Sequence, residues 1–123
     1  MPQEELKKQG DTPEFILGRK LLTAFLKNDP STFVSLLSPE AERVFDEQKF
    51  RNMRAELVKS LGEPVSFRFL TTLEMTALKP NLWAVRFKRV SQPSGKEYYQ
   101  EAVFRVTTAR VDGRANIIGF NFE

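Results

Sequence analysis

The sequence predicts an α+β fold: three N-terminal helices packed on one face of a curved four-stranded antiparallel sheet. Three observations carry that expectation. Apolar residues recur at helical spacing as far as Gly62-Glu63-Pro64, and beyond Pro64 the period switches to two. The third is a strong hairpin signal near the end, where Asp112-Gly113 separates two alternating segments. Asp-Gly suits a type I′ turn, in which both central residues need positive φ.

Taken in order, residues 1–11 read as a polar, flexible lead-in, and residues 12–123 as a single domain. Asp11 is the expected N-cap of the first helix, with Glu14 as its reciprocal partner and Pro13 in the first turn. Phe15, Gly18, Leu22 and Phe25, flanked by Leu21 and Leu26, form the apolar face. Gly18 lowers helix propensity there, so it marks close packing against the sheet. Asp29-Pro30 opens a short second helix carrying Phe33, Val34, Leu36 and Leu37, and Ser38-Pro39 opens a further helical turn. Asp46 caps the third full helix, whose inward residues are Phe50, Met53, Leu57 and Leu61, with Gly62 as its stop.

In the sheet, Val65, Phe67, Phe69, Thr71 and Leu73 share a face, and Lys79-Pro80-Asn81 reads as a turn. Trp83, Val85 and Phe87 then alternate with Ala84, Arg86 and Lys88, and Ser91–Gly95 forms a loop. In the next strand Tyr98, Gln100, Ala102, Phe104 and Val106 share one face, with Tyr99, Glu101, Val103 and Arg105 opposite. In the last strand the period places Ile118, Phe120 and Phe122 together, opposite Ile117, Gly119 and Asn121.

Composition narrows the chemistry. The chain has neither Cys nor His, which removes thiol catalysis, thiolate metal sites and the usual near-neutral base. Its four Asp residues all fall at expected caps or a turn, where the carboxylate already serves the backbone. Glu74, Glu97 and Glu101 read as cross-strand ion-pair partners. No Asp-x-Asp loop is present, and the six glycines are isolated. Neither a catalytic residue nor a metal ligand nor a cofactor site is therefore assigned. Residues 1–64 carry ten basic and eleven acidic residues, whereas 65–122 carry nine basic and four acidic. The sheet holds the positive charge, which points to acidic partners but falls short of a nucleic-acid arm.

Two surfaces remain. Trp83, Tyr98, Gln100, Phe67 and Phe104 are the candidates for lining a pocket that holds a small apolar ligand. Arg68, Arg86, Lys88, Tyr99 and Arg105 are the candidates for a protein interface on the opposite face, with Val103 and Ile117 beside them. A nucleic-acid partner is disfavoured, since Tyr99 alone offers an exposed stacking ring. No apolar run has the length of a membrane span, and the first residues lack the apolar core of a signal peptide. Either this is the natural start, which favours a cytoplasmic protein, or a leader has been removed and a Met added, which favours a periplasmic or secreted one.

The stretch AFLKNDPSTFVSLLSPEAERVF, the helix end from Phe50 to Gly62 and the closing DGRANIIGFNF resemble the nuclear transport factor 2-like (cystatin-like) superfamily, and within it the uncharacterised bacterial families of exported proteins. The resemblance covers about residues 12–122. It implies a cone of helices over a sheet and a habit of dimerising through the open sheet face; the order of elements together with the missing catalytic residues points to a non-catalytic ligand-binding or protein-interaction role. Enzymes of the cyclase and isomerase kind share the fold, which makes Tyr98 with a buried Glu the alternative. Many members place a strand between the second and third helices, for which Ser38–Asp46 is too short. That shorter arrangement is also similar to the periplasmic assembly factor of type IV secretion systems. Its final strand carries an Asn-Pro-Leu-Gly-Phe-like motif, where this chain has Asn116-Ile117-Ile118-Gly119-Phe120, without the Pro.

Overall fold

The computed structural model describes residues 12–75 and 77–122. Four helical segments precede four strands: α1 Pro13–Leu26, α2 Pro30–Ser35, α3 Pro39–Val44 and α4 Glu47–Leu61, then β1 Glu63–Thr72, β2 Leu78–Ser91, β3 Lys96–Val111 and β4 Arg114–Phe122. The strands form one antiparallel sheet in sequence order, β1-β2-β3-β4. The short helical turn expected after Ser38 is α3, so the third full helix is α4.

Local chemistry sets most boundaries. The side chains of Asp29, Ser38 and Asp46 accept from the N–H groups of Thr32, Ala41 and Lys49 at 3.2, 3.2 and 2.9 Å. Each satisfies a donor that the first helical turn leaves open. The cap of α1 differs from expectation. Thr12, not Asp11, accepts from Phe15 N–H, at 3.2 Å; Asp11 and the rest of the lead-in lie outside the described residues. At the other end of α4, Gly62 takes φ +103° beside the Lys88 carbonyl, a place with no room for a Cβ.

Both long helices are closed at their C-termini by side chains from distant elements. Arg54 of α4 donates to the carbonyls of Phe25 and Leu26 at 2.9 and 3.2 Å. Arg89 of β2 donates to Lys59 O at 2.8 Å, and Gln100 of β3 to Leu61 O at 3.2 Å. A guanidinium there also meets the negative end of the helix dipole.

The core lies between the helices and the inner sheet face. Leu21, Leu22 and Phe25 of α1, Phe33 of α2 and Phe50 of α4 pack on Trp83, Val85, Phe87, Phe104, Val106 and Ile117. Phe33 sits 4.7 Å from Phe50 and 5.0 Å from Phe120, ring centre to centre, and belongs to a cluster of rings that runs on through Phe25, Phe104 and Phe122.

Three strand expectations are corrected. Lys79-Pro80-Asn81 lies inside β2, with Pro80 opposite Thr107; β1 ends at Thr72 and β2 begins at Leu78. Pro80 fits because the β1 ladder ends at Thr72–Asn81, so no strand partner needs the N–H that proline lacks; its carbonyl accepts from Leu73 N–H at 2.7 Å. The second correction concerns β4. A register shift between Thr107 and Thr108 leaves Ile118 unpaired. That bulge reverses the alternation, so Ile117 is fully buried while Ile118 is 41% exposed. Ile117 therefore belongs to the core, not to the outer face. In β1 a similar shift sets Leu70 outside the ladder, between Phe69 and Thr71.

At Asp112-Gly113 both residues have positive φ, 53° and 77°, as a type I′ turn requires. Between α2 and α4 the chain makes one parallel bridge where many members have a strand, Leu37 to Ile117, with Ser38 N–H donating to Ile117 O at 2.8 Å. It occupies one position on the free edge of β4.

Candidate functional site

The five pocket candidates divide into two groups. Trp83 is 2% exposed, and its ring centre lies 5.1, 5.6 and 5.2 Å from those of Phe15, Phe67 and Phe69. Its Nε1 donates to Asn81 Oδ1, and both atoms press against Gly18, where an added Cβ would fall 2.5 Å from Asn81 Oδ1. Among the described residues, the Nδ2 of that buried Asn81 has no acceptor. Phe104 is packed by Phe25, Phe120 and Phe122. These rings occupy the space between helices and sheet.

Tyr98 and Gln100 lie elsewhere. Tyr98 is 49% exposed, with the Lys96 ammonium 5.4 Å from its ring centre, and Gln100 closes the end of α4. The reason is length. β1 begins opposite Lys88 and β4 ends opposite Phe104, so the outer part of the β2–β3 hairpin projects past both neighbours. All residues from Lys96 to Glu101 are exposed. Period two gives the side of the sheet a residue is on, but not where the covering layer stops.

The outer face of the sheet brings most of the interface candidates together. Along β2 and β3 the pairs Lys88–Tyr99, Arg86–Glu101, Ala84–Val103 and Leu82–Arg105 follow one another, with Ser66 and Arg68 of β1 beside Arg86 and Ala84. The Arg86 guanidinium lies 4.1 Å from the Tyr99 ring centre. Arg68 meets Glu101 at 3.0 Å and Lys88 meets Glu97 at 3.0 Å, while Tyr99 donates its hydroxyl to Glu97 at 2.8 Å. The Lys88 hydrogen bond, then that of Tyr99, holds the Glu97 carboxyl below its ordinary value; Glu97 in turn raises the Lys88 ammonium. A shallow hollow of about 130 Å³ opens here, lined by Ser66, Phe67, Arg68, Ala84, Arg86 and Glu101.

One charged residue escaped the sequence reading. Glu14 is 3% exposed, at the start of α1, and accepts from Arg110 Nε of β3 at 2.9 Å. Burial pushes its carboxyl up. The Arg110 hydrogen bond, its own backbone N–H and the charges of Arg110 and Lys79 outweigh that, and the net shift is downward. Glu14 stands four residues before Gly18, on the face that α1 buries, and that spacing was the available signal. It is an anchored ion pair, not a reciprocal cap. Asp29 and Asp46 serve as caps and Asp112 sits in the turn. Among the described residues, no group of three or more Asp or Glu could hold a metal ion.

No family model matches the chain, and no curated protein matches it. Solved structures do. A ketosteroid isomerase-like protein from Erwinia carotovora atroseptica superposes with a TM-score of 0.61 at 8% identity, over 87% of this chain and 89% of that one. A protein of unknown function with a cystatin-like fold, from Nostoc punctiforme, gives 0.53 at 9% identity over 89% and 87%. A SEC-C motif containing protein from Rhodopseudomonas palustris gives 0.55 at 20% identity over 85% and 74%. The chain has the nuclear transport factor 2-like fold. At these identities the likeness is one of architecture. Within a nuclear transport factor 2-like cone, the interior here is filled by Trp83, Phe104 and their aromatic neighbours, and most of the interface candidates gather on the outer sheet face.

Proposed function

We propose that this chain is a non-catalytic protein-interaction module and that its contact surface is the outer face of the sheet. One observation carries the reading. Arg86 over Tyr99 and Arg68 on Glu101 frame a hollow floored by the buried Ala84. Arg and Tyr held in fixed positions around an apolar floor have the composition of an interface centre. The small-ligand and cyclase- or isomerase-like alternatives are less supported, because packed rings occupy the cone and Tyr98 stands outside it.

A second copy, sheet against sheet, is the first occupant to test. Light scattering over a concentration series should show mass above that of one chain, returning to one chain in Arg86→Glu/Arg105→Glu. A wild-type mass of one chain at every concentration, with no other chain bound at this face, would remove the reading. The exported setting and a secretion-scaffold role rest on the resemblance alone; fractionation of cells expressing the gene from its natural start tests both.

A further inference from the structure

We infer that the hollow between α1 and α2 is a docking site for an acidic amphipathic helix of another protein, one carrying two carboxylates seven residues apart with an apolar residue midway. The hollow lies on the helical side of the molecule, and the inference is independent of the outer sheet face.

Charge names the chemistry of the partner. Residues 15–38, which hold most of α1, all of α2 and the turn between them, contain three cations, Arg19, Lys20 and Lys27, and one carboxylate, Asp29. All four line a single hollow of about 330 Å³. Asp29 is committed to the start of α2, where Thr32 holds its carboxyl below the ordinary value and the charge of Lys27 adds a smaller share. Among the described residues, none of the three cations forms an ion pair; Arg19 lies 6.0 Å from the Phe15 ring centre. Three cations against one carboxylate leave an excess of two positive charges, which carboxylates brought by a partner cancel.

Spacing names its shape. Lys20 of α1 and Lys27, the αR residue that closes the helix, are seven residues apart. They therefore stand on the same side of α1, about 10 Å apart along its axis. Ala24 falls between them and is buried, and Leu36, just past α2, completes the apolar part of the hollow. An extended segment covers about 10 Å in three residues, which turns its two end side chains to opposite faces. A helix covers that length in seven residues and keeps both ends on one stripe. Residue i+3 or i+4 of such a helix then lies over Ala24 and Leu36, between the two ion pairs.

The test uses a fluorescein-labelled peptide, stapled as a helix on its far side, with the core Glu-Gln-Ala-Leu-Gln-Ala-Gln-Glu. The full chain is titrated into it and binding is followed by anisotropy. A peptide with both Glu replaced by Gln, and one with the second Glu moved two positions further, onto the opposite side of the helix, are the controls. Binding should weaken with added salt and fall roughly tenfold for each control and for Lys20→Gln/Lys27→Gln. An unchanged unfolding midpoint shows that this double variant, altered at two exposed positions, remains folded. Arg86→Gln, on the outer sheet face, should bind the peptide as the wild type does. Equal binding of the Gln peptide or of the shifted peptide overturns the inference, as does no binding at millimolar concentration. A loss with Arg86→Gln but not with Lys20→Gln/Lys27→Gln also overturns it, by moving the contact to the sheet. Self-association that disappears in Lys20→Gln/Lys27→Gln while the peptide is ignored overturns it as well, because a second copy is then the occupant. A one-chain mass in light scattering removes the sheet-face reading alone and leaves this titration to decide the hollow.

Discussion

The two faces of this sheet come from the same alternating strands, yet they are held by different forces. Inside, Trp83, Val85, Phe87, Phe104 and Val106 meet helices across a buried apolar layer in which a methyl group matters. Outside, Arg86, Glu101, Arg105 and Tyr99 occupy the intervening positions of the same strands, and their contacts are ion pairs and a stacked guanidinium open to water. The inner face gives the chain its fold, and substitutions there should show in stability. Substitutions on the outer face should show in association and hardly in stability. That division can be broken experimentally from either side.

The largest effect is expected at Gly18. It lets α1 approach β2 until only a hydrogen atom fits beside Asn81 and Trp83. Gly18→Leu should cost about 3 kcal/mol in urea unfolding, because the helix must lift from the sheet or the indole must leave its rotamer. Gly18→Ala gains helix propensity of about 1 kcal/mol but meets the same wall, so it should still destabilise. If Gly18→Leu unfolds at the wild-type midpoint, the interior is not the packed layer described.

An intermediate effect belongs to Glu14, where a charge crosses into the inner layer. Its carboxyl is depressed in the fold, so the ion pair with Arg110 contributes stability above the ordinary glutamate value. That contribution disappears as pH falls through the native value. Glu14→Gln should cost about 1–2 kcal/mol at neutral pH, toward the lower end because Arg110 is half exposed. The difference between the two proteins should then shrink in acid. A difference that stays constant from neutral to strongly acidic pH would mean that the pair contributes nothing through its charge.

Features governed by neighbours in sequence were legible from the residues. Asp29, Ser38 and Asp46 cap because their side chains reach N–H groups three residues on, and Asp112-Gly113 turns because of its own φ angles. What escaped depends on neighbours in space. A register shift on β4 reversed Ile117 and Ile118, and β1 ended early enough to admit Pro80 into β2. The β2–β3 hairpin outran the helices, which carried Tyr98 out of the cone. Glu14 looked like a cap because its partner, Arg110, is 96 residues away. Hydrophobic period assigns a side of a strand, but it carries no information about bulges, strand ends or the reach of the covering layer.

The smallest effect on stability is expected at Arg68 and Glu101, and for the comparison it is the most informative. Their side chains are 64% and 46% exposed, and the 3.0 Å contact is a single ion pair in high dielectric. Arg68→Gln and Glu101→Gln should each change stability by no more than about 0.5 kcal/mol. Each breaks the pair that frames the hollow, so both should weaken association through this face. Weaker association with near-zero changes in unfolding would separate the two faces by function. Parallel losses in both measurements would instead make the Arg68–Glu101 pair a part of the scaffold.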